Sequence, residues 1–223
     1  MNRNRGMRRV TGLMLALVCA IGIAGCGKSG EPDQKVTSSS SPASGATATS
    51  DANAFKMVPS YEPATKYADA KDLIEKVDLL EVLANNVNKY LILPYDVPLT
   101  GKECGVVNAF WSSKTKSITM CYEFVSAINK LFKQANDRDP ANSTIDTMAG
   151  VFFHELGHAV IAMYDLPALG REEDSADQLS AVLLLNQKDP ELQKMALNYA
   201  RAWALLSSDQ MANDRTFADE HSL

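Results

Sequence analysis

Two histidines four residues apart close the run His154-Glu155-Leu156-Gly157-His158. Four residues are about one turn of a helix, so in a helix both imidazoles project from one face and can grip a single ion. Imidazole suits zinc, and a zinc centre that does chemistry uses three protein ligands and keeps one position for water. Glu155 follows His154 directly, near enough to take a proton from such a water without having to bind the ion. The chemistry on offer is hydrolysis of a polarised carbonyl by metal-activated water. The whole chain has three histidines, and two of them fall in this run.

A third ligand is sought just downstream. After a break at Pro167 and Gly170 comes Glu172-Glu173-Asp174-Ser175-Ala176-Asp177, a group of acids at the start of the next helical stretch. Glu173 and Asp177 are four apart and share a face, which suits a ligand with a partner behind it. Acids also favour the first turn of any helix because of its dipole, and some of these four do only that. Glu173 is the candidate ligand.

The elements that must position these groups follow from periodicity. Apolar residues at Leu73, Val77, Leu80, Leu83 and Val87 predict a surface helix over 68–90. Three strand-like runs follow: 90–97, broken by Pro94, then 105–111 and 117–124, which flank a polar turn and form a hairpin. Ser143 with Asp146 resembles a capping box and opens a helix that carries the histidines to about Tyr164. Further helices are expected from about Arg171 to Leu185 and from Asp189, with Pro190 in its first turn. A small antiparallel sheet or hairpin packed on helices gives an α+β domain.

The helical H-E-L-G-H is the H-E-x-x-H of zinc peptidases. Followed by E-D-S-A-D, with Glu173 and Asp177 in the relation E-x-x-x-D, it resembles the gluzincins, the thermolysin and neprilysin group. That resemblance implies a zincin-like domain, zinc as the cofactor and a peptide or protein as the substrate. It makes Glu173 the third ligand and Asp177 the partner that orients His154. Asn108-Ala109-Phe110-Trp111 is similar to the N-A-F/Y-Y segment of neprilysin-like enzymes. There an edge strand pairs with the substrate backbone through the equivalents of Asn108 and Ala109. His221 would, by the same resemblance, stabilise the oxyanion of the tetrahedral intermediate; as a residue it could equally be a zinc ligand or part of a tail. The ensemble from about Leu91 to Leu223 also resembles a bacterial family of metallopeptidase-like proteins whose function is not assigned. Members of that family continue past the His221 motif, which leaves open a shortened C-terminus here.

The N-terminus points to export. Arg3, Arg5, Arg8 and Arg9 precede an apolar segment from Val10 to Ala24 that is too short and too diluted by glycine for a membrane span. Its end, Ile23-Ala24-Gly25-Cys26, resembles the lipobox of bacterial lipoproteins. By that likeness Cys26 carries a lipid that anchors the chain to the cell envelope, with the periplasmic or extracellular face left open. Residues 1–25 then form the signal peptide, 26–60 a Ser- and Ala-rich tether, and 61–223 one domain. Loss of the leader removes four Arg and no acid, leaving 18 basic residues against 27 acidic ones, which argues against a nucleic-acid partner. In an exported protein the remaining Cys104 and Cys121, on the two arms of the predicted hairpin, are candidates for a disulfide. The competing function is a lipid-anchored binding or assembly protein whose zinc is structural or absent, which a closed four-ligand site would favour.

Overall fold

The computed structural model describes residues 55–185 and 189–208, so the leader, Cys26 and His221 lie outside the described residues. The fold is α+β. In chain order it runs β1 (Met57–Tyr61), α1 (Ala68–Glu75), α2 (Leu79–Tyr90), β2 (Val97–Lys102), β3 (Ala109–Ser112), β4 (Ser117–Cys121), α3 (Tyr122–Gln134), α4 (Pro140–Tyr164), α5 (Glu172–Leu185) and α6 (Pro190–Ser208).

The predicted antiparallel sheet is in fact mixed. Strand order is β1-β2-β4-β3; β1 and β4 both pair with β2 in parallel, and only the β3–β4 hairpin is antiparallel. The stretch read as tether therefore ends earlier, because Met57–Tyr61 is a strand. Asn88 fastens it at one end, accepting from the Met57 N–H at 2.7 Å and donating to the Met57 carbonyl at 2.9 Å. The strand expected over 90–97 lies one segment later, at Val97–Lys102. Pro98 and Gly101 disguise it. Glycine suits position 101 because a Cβ would sit 3.0 Å from the Tyr122 ring and 3.3 Å from that of Tyr61, so both rings would have to give way slightly.

Helix prediction over 68–90 is right in extent but not in continuity. Asp78 adopts a left-handed conformation with φ 51°, which an aspartate tolerates, and separates α1 from α2. The last predicted strand stops at Cys121 and gives way to α3, whose Phe124, Val125, Ile128, Leu131 and Phe132 are buried at helical spacing. The capping box also shifts. Asp139 caps α4 by accepting from the Asn142 N–H, with Pro140 in the first turn, so the helix starts nearly a turn before Ser143. Asp146 is used instead to bind α6, accepting from Asn198 Nδ2 at 2.8 Å and from Lys194 Nζ at 3.0 Å.

α4 is the central element. Every residue from Ser143 to Ala159 is buried, because α3, α5, α6 and the β3–β4 hairpin enclose it. Phe152 and Phe153 are among the largest fully buried side chains, each contributing on the order of 1.5–3 kcal/mol. The Cys104–Cys121 disulfide forms, with Cα atoms 5.5 Å apart. It ties the segment leading into β3 to the end of β4, and closing a loop of that size stabilises by about 3 kcal/mol. Buried Glu123 reinforces it, accepting from the Cys104 N–H at 3.0 Å and the Gly105 N–H at 2.8 Å. Both fix the approach to Asn108 and Ala109.

Candidate metal centre

His154 and His158 lie on one face of α4, as the four-residue spacing requires, and α5 crosses beside them. The crossing is close because Gly157 meets Ala176. A Cβ on Gly157 would lie 2.7 Å from the Ala176 Cα, a backbone atom that can yield only if α5 itself shifts. Glycine here lets α5 bring its first turn over the two rings.

The result is a triangle of donor atoms. His154 Nε2 and His158 Nε2 are 3.2 Å apart, and Glu173 Oε2 lies 3.2 Å from the first and 3.5 Å from the second. Tetrahedral bonds of roughly 2.0–2.1 Å hold their ligand atoms about 3.3 Å apart, so this triangle has the dimensions of three zinc ligands. The outer sides of the rings support the same assignment. His154 Nδ1 is 2.8 Å from Asp177 Oδ1, and His158 Nδ1 is 2.8 Å from Glu172 Oε1. A carboxylate only accepts, so we assign a proton to each Nδ1, and both Nε2 atoms then present lone pairs inward. Three acceptor atoms facing one another are relieved by a cation at their centre. In the metal-free protein burial lowers the His154 pKa, but the Asp177 hydrogen bond and the charges of Glu155, Asp177 and Glu173 outweigh that and raise it.

Glu155 is fully buried. Its Oε2 accepts the backbone N–H of Trp111 at 2.7 Å, tying the centre of α4 to β3. Burial pushes its pKa up to about 8, opposed by His154 and the Trp111 N–H and assisted by Glu173. A carboxyl group tuned near neutrality can both take and return a proton.

β3 is an edge strand. The Cys121 N–H donates to the Asn108 carbonyl, which makes that cross-strand pair hydrogen-bonded and, by alternation along an antiparallel ladder, turns the N–H and C=O of Ala109 and Trp111 outward. The Ala109 N–H is taken by the Asn108 side chain at 2.9 Å and that of Trp111 by Glu155. Among the described residues no hydrogen bond to the two outward carbonyls is seen, and Ala109 itself is fully buried.

The structure thus brings together His154, Glu155, His158, Glu173 and Asp177, and sets the Asn108-Ala109 strand against them through Trp111. It adds two groups that spacing did not single out: Glu172 and the Trp111 backbone N–H. Glu172 had a signal, since two candidate histidine ligands call for two partners and Asp177 reaches only one. The Trp111 contact joins residues 44 apart in sequence and had none.

A protein family described as "Putative metallopeptidase" matches residues 61–223. The chain belongs to this metallopeptidase family. The match covers the whole helical region and the β2–β4 part of the sheet, including every site residue named above. No curated protein and no solved structure matches the chain. Within this family member, the α4–α5 crossing offers a direct test of the site's construction. Gly157→Ala is expected to push α5 outward, to lower stability by about 1–3 kcal/mol and to weaken metal binding. Thermal unfolding and metal titration of the purified domain check it; unchanged metal affinity would show that the crossing does not set the Glu173 position.

Proposed function

We propose that the protein is a zinc-dependent peptidase, exported and held at the cell envelope by a lipid on Cys26. The metal-dependent reading is carried by the convergence of two imidazole nitrogens and one carboxylate oxygen at zinc-ligand spacing beside a buried glutamate, and the export and anchor by the leader and its lipobox-like end alone. Zinc bound by His154, His158 and Glu173 would supply a Lewis acid that polarises the carbonyl and lowers the pKa of water to about 7. Among the described residues the donor group has three members, which favours an open fourth position over a closed structural site.

Glu155 takes a proton from the attacking water and delivers it to the leaving amine. Its carboxylate is aimed for this by the Trp111 N–H, and its burial excludes competing solvent. Asp177 holds His154 in the tautomer that leaves Nε2 free to bind. A substrate strand lies along the edge of β3, where the outward carbonyl of half-buried Trp111 is the accessible acceptor, and Asn108 and buried Ala109 are its partners by likeness to the neprilysin-like segment. His221, by its likeness to gluzincin counterparts, stabilises the oxyanion.

The test is hydrolysis of a mixture of unstructured peptides by the domain loaded with zinc, stripped by a chelator, and reloaded. Cleavage that disappears and returns is the expected result. Full zinc occupancy with no cleavage would favour the lipid-anchored binding protein instead.

A further inference from the structure

The first two residues of α5 are both glutamates, yet they go to different places. Glu173 passes in front of the histidines, its Oε2 between the two Nε2 atoms. Glu172 passes behind, and its Oε1 stops 2.8 Å from His158 Nδ1. Asp177, one turn further on, makes the matching contact to His154 Nδ1, also at 2.8 Å. One short stretch of α5 therefore supplies an inner ligand and an outer partner for each ring.

An acid in the first turn of a helix needs no special role, because the dipole favours it there. Glu172 departs from that explanation in where its oxygen lies. It is turned across the gap onto a ring of α4, although half of the side chain remains exposed to solvent, where it would otherwise be free to stay hydrated. Asp174 in the same turn is available for the dipole. The ring it meets also needs holding. Rotation of His158 would carry Nε2 away from the other two donor atoms, and a hydrogen bond on the far nitrogen is what fixes both ring angle and tautomer at a metal-binding histidine.

We propose that Glu172 is a positioning residue that holds His158 for the metal, as Asp177 does for His154, so that both imidazole ligands are oriented by carboxylates from α5. The inference rests on the metal reading above and concerns the ring's orientation. Charge alone is separable from it, since a glutamine at this position keeps an acceptor oxygen of the same reach and loses the charge.

Zinc affinity is measured by competition with a chromophoric chelator for the wild-type protein, Glu172→Ala and Glu172→Gln. The downfield proton resonance of His158 Nδ1–H is followed in parallel. Glu172→Ala is expected to weaken zinc roughly 10–100-fold and to lose the resonance to solvent exchange. Glu172→Gln should stay within a few-fold of wild type and keep the resonance. Wild-type affinity in Glu172→Ala would overturn the proposal, and so would a glutamine variant as weak as the alanine one, since the role would then be charge. If the wild type takes up no zinc, the metal reading itself has failed. The resonance in the metal-free proteins then decides the matter: its loss in Glu172→Ala alone supports the positioning role, and its persistence there overturns it.

Discussion

Glu155→Gln in the zinc-loaded protein will leave the metal bound and slow peptide hydrolysis by roughly 10²–10⁴-fold. The amide is nearly isosteric and can still accept the Trp111 N–H, so the site keeps its shape and loses only the group that moves the proton. The substitution has a second signature that needs no substrate. In the metal-free protein burial raises the Glu155 pKa from its ordinary 4.5 to about 8. The unfolded chain therefore ionises this group first, and stability is lost as pH rises through that window. The glutamine variant carries no such penalty. Its melting temperature relative to the wild type, without metal, should rise as pH climbs from 4.5 and level off above about pH 8, the difference closing as pH falls back toward 4.5. Unfolding followed across pH checks the sign. Undiminished hydrolysis in Glu155→Gln would remove this residue from the mechanism, whatever the unfolding data show.

Glu173→Ala is the second large effect. It deletes one of three donor atoms, the one supplied by α5, so the loss should exceed the roughly 10–100-fold that removing an outer partner costs. One zinc per wild-type chain and little or none in the variant, by elemental analysis after gel filtration, is the expected outcome. Zinc retained unchanged would place the third ligand elsewhere, and His221 would be the next residue to substitute.

The legible parts of the site are those set by one helix turn. His154 and His158 declare themselves by spacing alone, and Glu173 with Asp177 by the same rule on the next helix. What spacing could not give is which helix faces which. That depends on Gly157 against Ala176, a contact visible only once α5 has folded back over α4. The sheet was less legible than the helices for a related reason. β2 carries Pro98 and Gly101, residues that argue against an inner strand, and its place between two parallel neighbours comes from packing against Tyr122 and Tyr61. The hairpin, whose pairing is local, was foreseen. The parallel pairings, made across the intervening helices, were not.

The edge of β3 that the sheet leaves unpaired bears on how copies of the protein meet one another. A bare strand edge usually offers donors and acceptors alternately, which makes it a template for the same edge of a second molecule. Here the outward N–H groups of Ala109 and Trp111 are already taken by Asn108 and Glu155, and carbonyls are left. Two such edges brought together would oppose oxygen to oxygen. Carbonyl set against carbonyl disfavours edge-to-edge pairing of two copies at this strand.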